Sequence, residues 1–260
     1  MELRGLARDN RAVEDDTLGL KEGHPMRDHT KAFCRIAAET FDCPGPVFEF
    51  GSYQVEGQVE YADLRSLFPG KPYIGCDMRP GPGVDRVEDV SAMAIGDAEA
   101  GTVLCIETFE HVFEVRRAFD EVYRILKPGG LFLFTSPLNF RIHGYPDDYW
   151  RMTPSCLRRM LTPYGARLSG YQGYHKFPHT VMAVAAKGPV PADFAARAGR
   201  FSASYNAWLA KDRAGRPFGI RFKEAIGRAY RSKGEGYQVD HYHTAELTLD
   251  LETVALAEAG

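Results

Sequence analysis

The chain contains no run approaching the ~18 consecutive apolar residues that a membrane-spanning helix needs. Its opening stretch, MELRGLARDNRAVEDD, is charged throughout and lacks the apolar segment of a secretory signal. The expectation is a cytoplasmic protein without a membrane span. Five cysteines are present, odd in number and scattered, and none stands in a C-x-x-C pair. That spacing excludes the common zinc and redox signatures and leaves reduced thiols as the expected state. Basic residues are not in surplus: the formal net charge is −3, which argues against a nucleic-acid partner. Internal repeats and low-complexity tracts are absent. So is the dinucleotide fingerprint G-x-G-x-x-G, because Gly51 is followed by Ser52, Tyr53, Gln54, Val55 and Glu56 before the next glycine, Gly57. Hydride transfer is not the natural reading.

What is there reads as an ordinary globular chain. At 260 residues, 44% hydrophobic and 26% charged, it has the length for one α/β domain with an appendage. From the capping residue Asp28, Phe33, Ile36, Ala37 and Phe41 recur at helical spacing until CPGP. VFEF, Val47 to Phe50, then runs as a strand into Gly51. EYADLRSLF sets Tyr61, Leu64, Leu67 and Phe68 on a helical face, and YIGCD is a second strand. MRPGPG cannot form a helix, so a third short strand is expected at Val84 to Val87. TVLCIE and LFLFTSP are continuous apolar runs suited to buried parallel strands. Between them Val115, Ala118, Phe119, Val122 and Leu126 mark a helix face. TPSCLRRMLTPYG predicts a further helix, and ARLSGYQ with TVMAVAAKG a closing antiparallel pair. The result is an α/β fold: a doubly wound, mostly parallel, seven-stranded sheet whose ligand lies beyond the carboxyl ends of its strands. The core is expected to span residues 1–188, including an N-terminal arm. Residues 189–260 are expected to be a helical extension, whose apolar faces of Phe194, Ala198, Phe201, Tyr205, Trp208 and Leu209, then Phe222, Ile226 and Tyr230, are to be covered by the core or by a second copy of the chain as a homodimer.

Four pieces stand in a fixed order: FEFGS, YIGCD, LCIETFEHV and RILKPGGLFLFTSP. Together they resemble the class I S-adenosylmethionine-dependent methyltransferases, in the branch with EHV and LKPGG. The resemblance covers roughly Val47 to Gly188 and continues through HGYPDDYWRMTP. It implies a Rossmann-like methyltransferase fold with S-adenosyl-L-methionine as cofactor. It places Glu49 and Gly51 beside the methionine portion and Asp77 on the ribose hydroxyls, where a carboxylate offers the two acceptor oxygens a diol needs. It also places Met78 against the adenosine, Asp89 near the adenine amino group, and Glu107 toward the cofactor and acceptor. Asp85 and Glu88 compete for the role of Asp89. The cofactor carries no phosphate, so SYQVE in place of further glycines leaves the binding logic intact.

The loop after the fifth strand, LNFRIHGYPDDYWRMTP, holds His143, Tyr145, Asp147, Asp148, Tyr149, Trp150 and Arg151, a dense set of aromatic and titratable groups for a connection. His143 is the first candidate for a general base, because imidazole titrates near neutral pH. His111, after the fourth strand, is the second. Asp240, His241 and His243 suit a metal by residue type but have no distant third ligand, so no metal site is expected. The acceptor reading is a small molecule or glycan, methylated on oxygen or nitrogen. An RNA or protein acceptor, or a catalytically silent scaffold with this fold, stay open as alternatives.

Overall fold

The computed structural model describes residues 28–55, 62–144, 147–215, 219, 222 and 244–251. The arm at 1–26, Tyr61, Tyr145, Ile226, Tyr230 and the Asp240–His241–His243 cluster lie outside them. Helix α1 (Asp28–Thr40) leads to β1 (Val47–Phe50), β2 (Tyr73–Asp77), β3 (Arg86–Val87) and β4 (Ala100–Ile106). Then come α2 (Val115–Ile125), β5 (Leu126–Pro137), α3 (Pro154–Met160), β6 (Ala166–Tyr174), β7 (Phe177–Ala186), α4 (Phe194–Gly215) and β8 (Ala245–Leu251).

All strands join one eight-stranded sheet in the order β3-β2-β1-β4-β5-β7-β6-β8. The first five pair in parallel, whereas β7, β6 and β8 each run antiparallel to the preceding neighbour. The sheet is mainly parallel with an antiparallel β6–β7 pair, as expected, but the count of seven strands is corrected to eight among the described residues: β8, from a region expected to be helical, extends the sheet beyond β6. The order reverses between β1 and β4. Open α/β sheets bind ligands in the crevice outside the carboxyl ends of the strands at such a switch point.

Strict alternation along the central strands builds two cores. Val103 and Cys105 of β4 join Phe132 and Phe134 of β5 on one face, with Phe109 edge to face and Phe119 tilted against Phe134, and Tyr164 stacked on Phe132. Leu104, Ile106, Leu131 and Leu133 point to the other face, against α1 and α4. Both faces are covered, so these strands read as unbroken apolar runs. The stripe on α4 is taken up within the chain: Phe201 meets Phe33 at 5.4 Å and Phe194 meets Phe41 at 5.3 Å between ring centroids. Tyr205 donates its hydroxyl to the carbonyl of His29.

Two local departures have clear causes. The helix expected over EYADLRSLF is a short 3₁₀ turn, Arg65–Leu67, because Asp63 Oδ1 accepts from the Arg65 N–H while the Arg65 guanidinium reaches away to Asp85 and the Gly83 carbonyl. KPGG is a bulge within β5 rather than a turn before it: Leu126 faces Ala100 and Leu131 faces Thr102, with Gly129 at φ +76°. Lys187 braces this bulge, donating to the carbonyls of Tyr123 and Leu126 at the end of α2.

Candidate active site

The crevice is framed by backbone that only a few residues tolerate. Gly51 ends β1 exposed, at φ +85°, with its N–H on the Cys76 carbonyl. A Cβ there would lie 2.2 Å from Thr108 Oγ1, so the glycine is required by the threonine. Thr108 is in turn held by its hydroxyl, which donates to the carbonyls of Phe50 at 3.0 Å and Ile106 at 3.1 Å, tying β1 to β4 at their carboxyl ends. Just before it, Glu107 stands at φ +52°, a left-handed conformation that costs a non-glycine residue about 1–2 kcal/mol. Strain at a strand end beside a crevice is a common mark of a working site. Thr108 gave no signal in the sequence, because its role depends on a partner 58 positions away.

The acids expected to hold the cofactor are spread along this edge. Glu49 is buried within β1; burial pushes its carboxyl up to about 7, while the Tyr73 hydroxyl, donating to Oε2 at 2.7 Å, works in the opposite sense. Asp77 closes β2. Its Oδ1 accepts from the N–H of Arg79, and Oδ2 makes no hydrogen bond among the described residues. Met78 is exposed beyond it. Asp89 is exposed and its Oδ1 is committed to the N–H and hydroxyl of Ser91. Its rivals are more firmly engaged. Asp85 accepts from Arg65 and from Gly75 N–H, and Glu88 pairs with Arg86 and accepts from Ala94 N–H. MRPGPG lies against the first loop, with Gln54 N–H donating to Pro82 and Arg79 stacked over Tyr53 at 4.5 Å.

The other wall is the loop after β5, described at residues 138–144 and 147–153. It folds back over the strand ends because Tyr149 and Trp150 both donate backbone N–H groups to the carbonyl of Glu110, and the Trp150 indole donates to Val112. Trp150 thus ties the loop to the segment after β4. This clasp brings the two histidines together, their rings 4.8 Å apart and edge to face. His143 Nδ1 lies 3.0 Å from Asp148 Oδ2, and the His143 N–H donates to the same oxygen. Burial pushes the Asp148 carboxyl up, but a two-pronged bond from Arg151 and the His143 N–H outweigh it and hold the group at about 2. His111 donates Nδ1–H to the Asp147 carbonyl at 2.5 Å. Burial pushes its pKa below the ordinary imidazole value, while that hydrogen bond favours the charged form. Beneath both sits Glu110, fully buried, with Ser136 Oγ donating to Oε2 and His111 Nε2 at 3.8 Å from Oε1. Among the described residues, then, both candidate bases share one wall, and Glu110, Asp148 and Arg151 support them.

Residues 70–134 match the family model described as a methyltransferase domain. The matched segment runs from the turn before β2 into β5. Similar folds among solved structures include an S-adenosylmethionine-dependent methyltransferase from Archaeoglobus fulgidus, at 14% identity over 60% of this chain and 92% of that one, with a TM-score of 0.47. Another is 1,6-didemethyltoxoflavin N1-methyltransferase from Burkholderia thailandensis, at 15% identity over 62% of this chain and 78% of that one, TM-score 0.45. Nothing further rests on likenesses this distant. No curated protein matches the sequence.

Proposed function

We propose that the protein is an S-adenosylmethionine-dependent methyltransferase acting on the oxygen or nitrogen of a small molecule or glycan. The observation that carries this reading is the pair of imidazoles brought together by the loops that follow β4 and β5, in a fold whose β2–β5 segment matches a methyltransferase domain and whose β1 and β2 end at Gly51 and Asp77. The residues present suit the cofactor. Asp77 retains an oxygen for a ribose hydroxyl, and a cationic amino group beside Glu49 would draw its carboxyl into the ionised form. When bound, the cofactor supplies a methyl group on a sulfonium, already activated as an electrophile.

The chain's own task is then alignment and proton management. Asp148, fixed by Arg151, orients His143 and favours the tautomer with its proton on Nδ1, leaving Nε2 to accept a proton from the acceptor. Phe113 and Tyr149, exposed and packed edge to face at 5.3 Å, offer the acceptor a flat apolar rim. A homodimer would have to use a surface other than the stripe of α4.

Calorimetric titration with S-adenosylmethionine and S-adenosylhomocysteine, followed by an acceptor panel of sugars and hydroxylated small molecules, tests the reading. Binding and turnover are expected, and His143→Ala should lower turnover by ~10²-fold with cofactor affinity nearly intact. Absence of cofactor binding refutes the reading. Binding without turnover on any acceptor favours a silent scaffold.

A further inference from the structure

We propose that Glu110, His111 and His143 form a binding site for a divalent transition-metal cation in the acceptor wall. One oxygen of Glu110 and one ring nitrogen of each histidine lie within 4.8 Å of one another. The hydrogen bonds around the cluster determine what these atoms present to its centre. A carbonyl can only accept, so the bond between His111 Nδ1 and Asp147 O puts the proton on Nδ1 and leaves a lone pair on Nε2. That lone pair sits 3.8 Å from Glu110 Oε1, which carries lone pairs of its own. The ionised Asp148 does the same for His143, accepting a hydrogen bond from Nδ1–H and so favouring the tautomer with its lone pair on Nε2. A carbonyl or carboxylate behind a histidine is the arrangement that aims and strengthens metal-ligating imidazoles.

The donor set defines the cation. Two imidazole nitrogens and one carboxylate suit zinc, cobalt, iron or manganese better than calcium or magnesium, whose sites are built from oxygen. Ligand atoms at about 2.1 Å from a tetrahedral centre are about 3.4 Å apart, so the widest separation here must close by roughly 1.4 Å. That movement falls to the loop, which carries His143 together with Asp148 and Arg151 as one unit, whereas Glu110 and His111 belong to the 3₁₀ turn Phe109–His111. Three protein ligands leave a coordination position open, as in catalytic rather than structural sites.

Resting on the methyltransferase reading, the open position assigns the acceptor class: a hydroxyl-bearing molecule whose oxygen binds the ion and is thereby acidified. Its proton leaves to solvent, the oxygen forms the new bond to carbon, and the methyl–sulfur bond breaks with its electron pair passing to sulfur. In this arrangement His143 Nε2 is a ligand rather than the proton acceptor, and acidification of the hydroxyl by the ion lets solvent take the proton in its place.

The full chain, stripped with a chelator, is to be titrated with cobalt(II), followed by ligand-field absorption and by calorimetry, with zinc as competitor and magnesium as comparison. About one ion per chain is expected, bound at least ~10-fold more weakly after His111→Ala, His143→Ala or Glu110→Gln. Glu110→Gln keeps an acceptor for Ser136, so it separates ligation from folding. Absence of cobalt and zinc binding overturns the proposal, as does binding that survives all three substitutions, which would place the ion elsewhere, for instance on His241 and His243. Cofactor binding is measured in parallel. A chain that binds S-adenosylmethionine but no metal refutes this site alone; one that binds metal but no S-adenosylmethionine keeps the site and removes the methyltransferase reading.

Discussion

Gly51→Ala probes the joint between β1 and β4 with a change of a single methyl group. At φ +85° an L-residue pays about 1–2 kcal/mol for the left-handed backbone. The new Cβ would fall 2.2 Å from Thr108 Oγ1 and 2.8 Å from its Cγ2, so the threonine must rotate. Rotation gives up the hydroxyl bonds to Phe50 and Ile106, worth about 1 kcal/mol net. Residual crowding adds about 1 kcal/mol or more. The sum, roughly 3–4 kcal/mol, is a large part of an ordinary domain's stability. Urea unfolding measures it, and the informative design is a double-mutant cycle with Thr108→Ala. With the hydroxyl and methyl gone, the nearest Thr108 atom to the new Cβ is its own Cβ at 3.1 Å, so the clash is mostly relieved while the backbone cost stays. The double variant should therefore be more stable than the sum of the single changes predicts, by at least ~1 kcal/mol. A Gly51→Ala protein within ~0.5 kcal/mol of wild type, or strict additivity with Thr108→Ala, would refute the reasoning.

Glu49 gives a pH signature: its folded pKa is raised from 4.5 to about 7, so the native state holds a proton that the unfolded chain releases, and stability falls as pH rises through that window. The loss approaches about 3 kcal/mol above pH 7, and Glu49→Gln should flatten the profile in denaturation curves taken from pH 4 to 8. Asp77→Ala should weaken S-adenosylmethionine binding by roughly 2 kcal/mol in calorimetry. Asp77→Asn, which can still accept from Arg79 N–H, separates the ribose contact from the turn, and unchanged affinity in both variants removes Asp77 from the site. Lys187→Met should lower stability by about 1 kcal/mol, because the carbonyls of Tyr123 and Leu126 lose their donor and the Tyr123 ring loses the ammonium over its face; thermal unfolding reads this directly.

The central sheet was legible because its signals are local. Apolar runs such as Thr102 to Ile106 and Leu131 to Pro137 need no partner to be read as buried strands, and α1 and α2 show their faces as periodicity. The end of β1 at a glycine and of β2 at an aspartate pointed to the crevice for the same reason. The element at Arg65–Leu67 escaped that logic, since the apolar spacing was helical but the polar groups were spent on Asp63 and Asp85 instead of a helix. β8 was missed because an edge strand with one half-buried face carries little apolar signal, and its pairing to β6 is a contact between residues some 80 positions apart. Residue types named His143 and His111 as candidates, yet nothing along the chain shows that they meet. That meeting depends on a loop drawn back by two N–H groups onto the Glu110 carbonyl, and on Asp148 and Arg151 locking the ring from behind. Short-range pattern determined where the strands end; only closure of the tertiary structure decided which side chains share a wall there, because those distances are set by the packing of segments far apart in sequence.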